Sequence, residues 1–192
     1  MNKKILKEIE SLAETMFIAL FTMSLLFTYV LKPTTVSGDS MKPTLFTNDQ
    51  LIISEIYGKL KNGDIIVADC QEAILLSDEN TPEYRQGLGK TIVKRVIATE
   101  GQTIDIDFEK GLVYIDGVLQ NEPYISGLTH LDEGAFTGKY PVTVPENCLF
   151  VMGDNRGNSR DSRDSSIGFV PEESIVGKVV MRVFPLKSLK IF

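Results

Sequence analysis

The chain has 192 residues, with 20 Lys and Arg against 26 Asp and Glu, and 43% of it is apolar, enough for one or two globular cores. A net charge of −6 without a basic block is the wrong sign for tracking a phosphate backbone, because that affinity comes from Lys and Arg displacing counterions; nucleic acid is excluded as a partner. Cys70 and Cys148 stand far apart without CxxC spacing and His130 is the single histidine. No metal site, cofactor or disulfide framework is therefore expected, and a Ser-His-Asp triad would have one source for its base.

From Thr15 to Leu31 no residue is charged. At 1.5 Å per residue this run covers about 25 Å, near the short end of what crosses a bilayer. A removable leader would show small residues after the apolar core, whereas Lys32-Pro33-Thr34-Thr35-Val36 follows. The absence of polar periodicity weighs against a core helix of a soluble protein, since one face of a soluble surface helix should be polar. The reading is an uncleaved anchor over 1–31. Lys3, Lys4 and Lys7 precede the span, against Lys32 and Lys42 after it, which favours a cytoplasmic N-terminus by a narrow margin.

Beyond Pro33 the chain reads as short β-rich runs: Gln50 to Ser54, Asp64 to Cys70, Thr91 to Thr99, Gln102 to Phe108, Leu112 to Leu119, Cys148 to Met152 and Ser174 to Phe184. Asn62-Gly63, Asp116-Gly117 and Gly153-Asp154-Asn155 punctuate them, and Leu112 to Gln120 reads as a small hairpin. Ser126 to Lys139, rich in Gly, Thr and acids, reads as an exposed loop. The expected fold is mainly β after one transmembrane helix. Its catalytic β domain covers 32–102 and 147–192, and a small β insert occupies 103–146.

Three segments could carry chemistry. Ser37-Gly38-Asp39-Ser40-Met41-Lys42-Pro43 reads as a turn in which Gly38 permits close backbone approach and Ser40 could present its hydroxyl beside backbone N–H groups; turn residues serving conformation alone are the alternative. In Thr91 to Ala98 the two-residue period puts Lys94 on one face with Ile92 and Val96. Burial there would lower its pKa and make a general base, whereas a sheet-edge lysine would only snorkel to water. In Gly153 to Arg163 three arginines are offset by Asp154, Asp161 and Asp164, which suits either internal ion pairs or a solvated loop.

Taken together with the anchor, Ser40-Met41-Lys42-Pro43-Thr44-Leu45, Gly63-Asp64-Ile65-Ile66-Val67, Lys94-Arg95-Val96 and Gly153-Asp154-Asn155-Arg156 through Gly168-Phe169-Val170-Pro171 resemble the bacterial type I signal peptidases, which use a Ser-Lys dyad. The single span resembles the shorter Gram-positive forms. The resemblance implies Ser40 as nucleophile, Lys94 as general base, Ser159 as the hydroxyl orienting the lysine amine, and the Ser40 N–H as oxyanion donor. It implies pairs Asp154–Arg95 and Asp161–Arg163. Val36, Met41, Leu45, Ile92 and Val93 would contact substrate, with Gly38 where some members carry a serine hydroxyl as second donor. His130 is expected to be dispensable.

The implied activity is removal of N-terminal signal peptides from exported preproteins at the plasma membrane, with the catalytic domain on the outer face. The implied partners are preproteins and the lipid bilayer, with room for association with the secretion translocon. Two other readings are a self-cleaving Ser-Lys protease, which would call for a DNA-binding N-terminal domain, and a non-catalytic membrane-tethered β domain that binds a partner.

Overall fold

The structure is a computed structural model that describes residues 3–77 and 81–192. The chain opens with α1 (Lys3–Tyr29), continues through β1 (Leu31–Thr35), β2 (Gln50–Ser54), β3 (Ile65–Leu76), β4 (Pro82–Thr99), β5 (Thr103–Asp107) and β6 (Leu112–Ile115), and then through β7 (Val118–Leu119) and β8 (Val142–Thr143). It closes with β9 (Cys148–Met152), β10 (Val170–Pro171), β11 (Ile175–Phe184) and β12 (Lys190–Ile191). The mainly-β expectation holds.

Lys7–Tyr29 of α1 is long and apolar enough to cross a membrane, and none of it is buried against the protein. Its 23 residues measure about 34 Å, against about 30 Å of bilayer hydrocarbon. The helix stops at Tyr29, short of the sequence expectation: Leu31 is the first residue of β1 and pairs with Ser54. Pro33 lacks a backbone N–H and pushes the residue before it toward extended backbone, so Lys32 and its neighbours enter the sheet.

Among the described residues the strands form two antiparallel sheets. The larger runs β1-β2-β11-β3-β4-β9-β10, with β12 on β11, and the smaller runs β7-β6-β5-β8. β3 and β4 extend well beyond the expected runs into a long hairpin, in which Ile74 faces Tyr84 and Leu76 faces Pro82. Its outer half is obscured in the sequence by Pro82, Gly87 and Gly89, residues depleted from strands; Gly87 is needed there because a Cβ would strike the Cys70 carbonyl.

Two cores hold the site's frame. Val36, Met41, Leu45, Leu51, Ile53, Ile65, Val67 and Val179 pack beneath the first strands. The second core joins the sheets through Ile104, Ile106, Val113 and the ring cluster Phe136, Phe150 and Phe169. The 126–139 segment is accordingly not the exposed loop its composition suggests, since Thr129, Ala135 and Phe136 are buried. A single phenylalanine inserted between sheets outweighs a polar composition.

Candidate active site

Ser40 lies in the turn after β1, where Lys42 N–H donates to Asp39 O at 3.2 Å and Leu45 N–H to Met41 O at 2.9 Å. Gly38 enters this turn at φ +93°, and a Cβ there would meet nothing within 4 Å. Its glycine therefore serves the left-handed backbone and not a close approach, which corrects the sequence expectation. Met41 and Leu45, both buried, anchor the turn in the first core.

Lys94 sits on β4 opposite Ile66. Its side chain is 4% exposed, and its Nζ donates to Ser40 Oγ at 2.8 Å and to Val93 O at 3.1 Å. Burial is the main influence on its pKa and lowers it from 10.5 against the opposing pull of Asp161, Cys70 and Glu133, with Arg163 adding to the lowering. The lowering favours the neutral amine, whose lone pair can accept a proton, more than a snorkelling surface lysine would.

The segment after β9 wraps behind this pair as a network of internal ion pairs. Arg95 donates to Asp154 through Nε at 2.8 Å and through its terminal nitrogen at 2.6 Å, and Thr44 Oγ1 also donates to Asp154. Arg163 forms two 2.8 Å bonds to Asp161, both side chains being fully buried. Asp161 in turn accepts from Gly153 N–H at 3.0 Å. Burial alone would raise the Asp161 pKa, but the hydrogen bonds and charge of Arg163 outweigh it and hold it below 3.8. Asn155 N–H donates to Ser40 O at 2.9 Å and Asn155 Nδ2 to Asp39 O at 3.1 Å, fixing the serine turn to this loop. Gly153 is required by contact, since a Cβ would strike Ser159 Oγ and the Ser40 carbonyl.

The segment between β7 and β8 adds a brace that the sequence does not reveal. Glu122 receives two bonds from the buried Arg156 guanidinium, one at 2.9 Å and one at 2.5 Å, while Tyr124 covers Arg95 with its ring centroid 4.0 Å from the guanidinium carbon. Tyr124 OH donates to Glu122 at 3.0 Å, and Ser126 N–H to Asp154 O at 3.0 Å. Glu122 and Tyr124 lie in an ordinary-looking Glu-Pro-Tyr stretch, so no local pattern marks them.

A cleft of about 370 Å³ opens beside Ser40 and Lys94, bounded by Thr34 to Ser37 and Met41 on one side and by Leu88 and Lys90 to Val93 on the other. In a flat sheet β1 and β4, four strand spacings apart, would stand about 19 Å from each other, so the sheet curls to bring both to one cleft. Val36, Met41, Ile92 and Val93 line it; Gly38 and Leu45 do not, Leu45 being packed in the core beneath. β9 pairs with β4 from Arg95 onward, leaving the edge from Leu88 to Val93 without a strand on that side among the described residues.

Ser159 is buried, its hydroxyl makes no hydrogen bond of ordinary geometry although it lies close enough to Asp161 to help lower that carboxyl's pKa, and the bond to Lys94 implied by the resemblance is absent. Glu133 Oε2 is likewise buried without a partner, and burial first, then the Asp161 charge, raise the Glu133 pKa to about 7. His130 is exposed between β7 and β8, with Nδ1 against Phe108 O at 3.0 Å.

The family described as "Signal peptidase, peptidase S26" matches residues 9–184. The chain is 35% identical over 173 residues to the probable signal peptidase I-1 of Synechocystis sp., covering 88% of this chain and 80% of that one. It is 33% identical over 184 residues to signal peptidase I P of Bacillus subtilis subsp. natto, covering 92% and 90%. A crystal structure of a signal peptidase I from Enterococcus faecalis V583, 27% identical, overlies 64% of this chain and 97% of that chain with a TM-score of 0.45. The chain thus belongs to the signal peptidase family, peptidase S26.

Proposed function

We propose that this chain removes N-terminal signal peptides from exported preproteins with a Ser-Lys dyad, Ser40 as nucleophile and Lys94 as general base. The observation that carries the reading is the desolvated Lys94 amine 2.8 Å from the Ser40 hydroxyl at the wall of an open cleft. Ser40 Oγ attacks the scissile carbonyl as its proton passes to Lys94 Nζ. The Ser40 N–H, which donates to no group among the described residues, faces the resulting oxyanion. Lys94 then protonates the leaving amine, and the acyl group stays on Ser40. A water gives its proton to Lys94 and attacks the ester; the new carboxylate leaves as Ser40 recovers its proton.

Ser159 holds the amine when it turns from Ser40, using the hydroxyl left unpaired at rest. Arg95, Asp154, Asp161 and Arg163 keep the loop and the lysine strand in register. Val36, Met41, Ile92 and Val93 receive the small residues before the cut, Leu45 supports Met41 from below, and Gly38 offers no side-chain donor.

α1 anchors the enzyme in the plasma membrane with its N-terminus in the cytoplasm and the β domains on the outer face. Tyr29 and Ser40 are 11 residues apart, at most about 40 Å of extended chain, so the nucleophile works close to the bilayer. A preprotein is held there by its own apolar segment, and tethering both partners in one layer raises their effective concentration. The same placement permits association with the translocon.

The test is cleavage of a purified preprotein by the full chain in detergent, with sequencing of the new N-terminus. A cut after a small residue at the signal-peptide boundary, lost in folded Ser40→Ala and Lys94→Ala, is expected. Unchanged processing by either variant overturns the dyad.

A further inference from the structure

Resting on the proposed peptidase reading, we infer that Lys90 is a specificity-determining residue that selects for an acidic, and against a basic, side chain four to six residues before the scissile bond. Among the described residues that line the cleft, only Lys90 and Lys94 carry an ionisable amine, and the rest are Thr, Ser, Val, Leu, Ile and Met. Lys94 is buried on the reacting serine, whereas Lys90 is exposed at the rim and makes no ion pair with a described carboxylate. In a chain of net charge −6, the cleft mouth is therefore locally positive.

Strand geometry sets the position. Lys94, Ile92 and Lys90 pair with Ile66, Ala68 and Cys70 in an unshifted register, so the three share one face of β4. Lys90 lies four residues from Lys94, about 13 Å along the strand. Ile92 and Val93, assigned above to the small residues before the cut, stand between them. A substrate laid along the open β4 edge continues past those residues, on its signal-peptide side, to the Lys90 ammonium. Four residues of separation plus the reach of a lysine side chain gives positions four to six.

An ammonium at a half-open rim attracts a carboxylate and repels another ammonium, and each effect is modest because water screens it. The two act in opposite senses on Asp and Lys substrates, so their ratio reads about tenfold in kcat/KM. The experiment uses peptides with one boundary sequence and a single Asp, Asn or Lys at the fourth, fifth or sixth position before the cut. Matched peptides carry the charge at the same distances after it. The full chain is studied in an uncharged detergent, beside Lys90→Gln and Lys90→Glu. Comparing peptides within each protein removes any difference in folded fraction.

The wild type should favour Asp over Lys about tenfold at one of those positions. Lys90→Gln should bring the ratio near one, Lys90→Glu should invert it, and 0.5 M salt should shrink the wild-type preference. A ratio unchanged by both substitutions, or a preference confined to residues after the cut, overturns the inference. The same peptides bound to Ser40→Ala carry the comparison without turnover. Binding that follows the charge through Lys90 while the wild type cuts nothing would thus overturn the peptidase reading and keep Lys90 as the group that selects acidic over basic peptides, without a scissile bond to count from.

Discussion

Lys94 Nζ donates to Ser40 Oγ at 2.8 Å across 54 residues of sequence, and the loop that closes the distance is itself tied to the carbonyl of Ser40 through Asn155. The nucleophile and the base are thus held by one frame: β4 carries the lysine, the turn after β1 carries the serine, and the Asp154–Arg163 loop bonds to both. Buried ion pairs rarely add net stability over apolar packing, but they fix geometry when every donor has an acceptor. Here Arg95, Asp154, Asp161 and Arg163 are all paired.

Keeping Lys94 out of water works against the fold. Its folded pKa is lowered from 10.5, chiefly by burial, so below 10.5 the unfolded chain binds a proton more readily than the folded chain. Stability attributable to this residue therefore rises with pH from the lowered value toward 10.5. Lys94→Met should be inactive yet more stable at pH 7 by about 1–2 kcal/mol, with the gap narrowing as pH approaches 10. Urea unfolding midpoints at pH 7, 8.5 and 10 check this.

Asp161→Asn leaves Arg163 buried without its counter-charge, and should cost about 3–5 kcal/mol and most of the activity. Asp161→Asn with Arg163→Met should recover part of that stability, which a double-mutant cycle would measure. In the wild type the pair's contribution is present above the ordinary carboxyl value of 3.8 and is lost as pH falls through the lowered Asp161 value.

The brace formed by Glu122 and Tyr124 predicts an effect of residues remote in sequence. Glu122→Gln should cost about 3 kcal/mol by stranding the buried Arg156. Tyr124→Phe, which keeps the ring over Arg95, should cost about 1 kcal/mol, and Tyr124→Leu, which removes it, about 1 kcal/mol more. Thermal melts with single-turnover cleavage on the same samples separate lost fold from lost chemistry.

The glycine-bearing turn around Ser40 and the two-residue strand period around Lys94 make each a candidate but leave a purely structural reading open, and what singles the two out in the sequence is the resemblance of their segments to the signal peptidases. The balanced charge of the third segment suits internal ion pairs and a solvated loop alike, and the structure shows the ion pairs. Glu122 and Tyr124 are not legible in the sequence, because what gives them meaning is Arg156 and Arg95, distant positions brought to them only by the tertiary fold. Phe136 illustrates the same limit: one apolar residue in a polar stretch does not announce that it fills the space between two sheets. The reach of β4 back to Pro82 is hidden for another reason, since ladder bonds to β3 tolerate the glycines and proline that propensity penalises.

Glu133 offers a stability readout independent of catalysis. Burial, then the Asp161 charge, raise its pKa from 4.5 to about 7, so the folded chain retains a proton that the unfolded chain loses between those values. Stability should therefore fall as pH rises through that window, and Glu133→Gln should flatten this dependence. Melting temperatures of both proteins from pH 4.5 to 8 check it.

The pH dependence of single-turnover cleavage from pH 5 to 10 bears most directly on Lys94 as the base for Ser40. The amine must be neutral to take the serine proton, so the acylation rate should rise with pH through a lowered lysine pKa and then level, while Lys94→Arg, which stays protonated, should lose at least about a thousandfold. A flat wild-type profile, or an arginine variant within about tenfold of wild type, would contradict the account and place the base elsewhere.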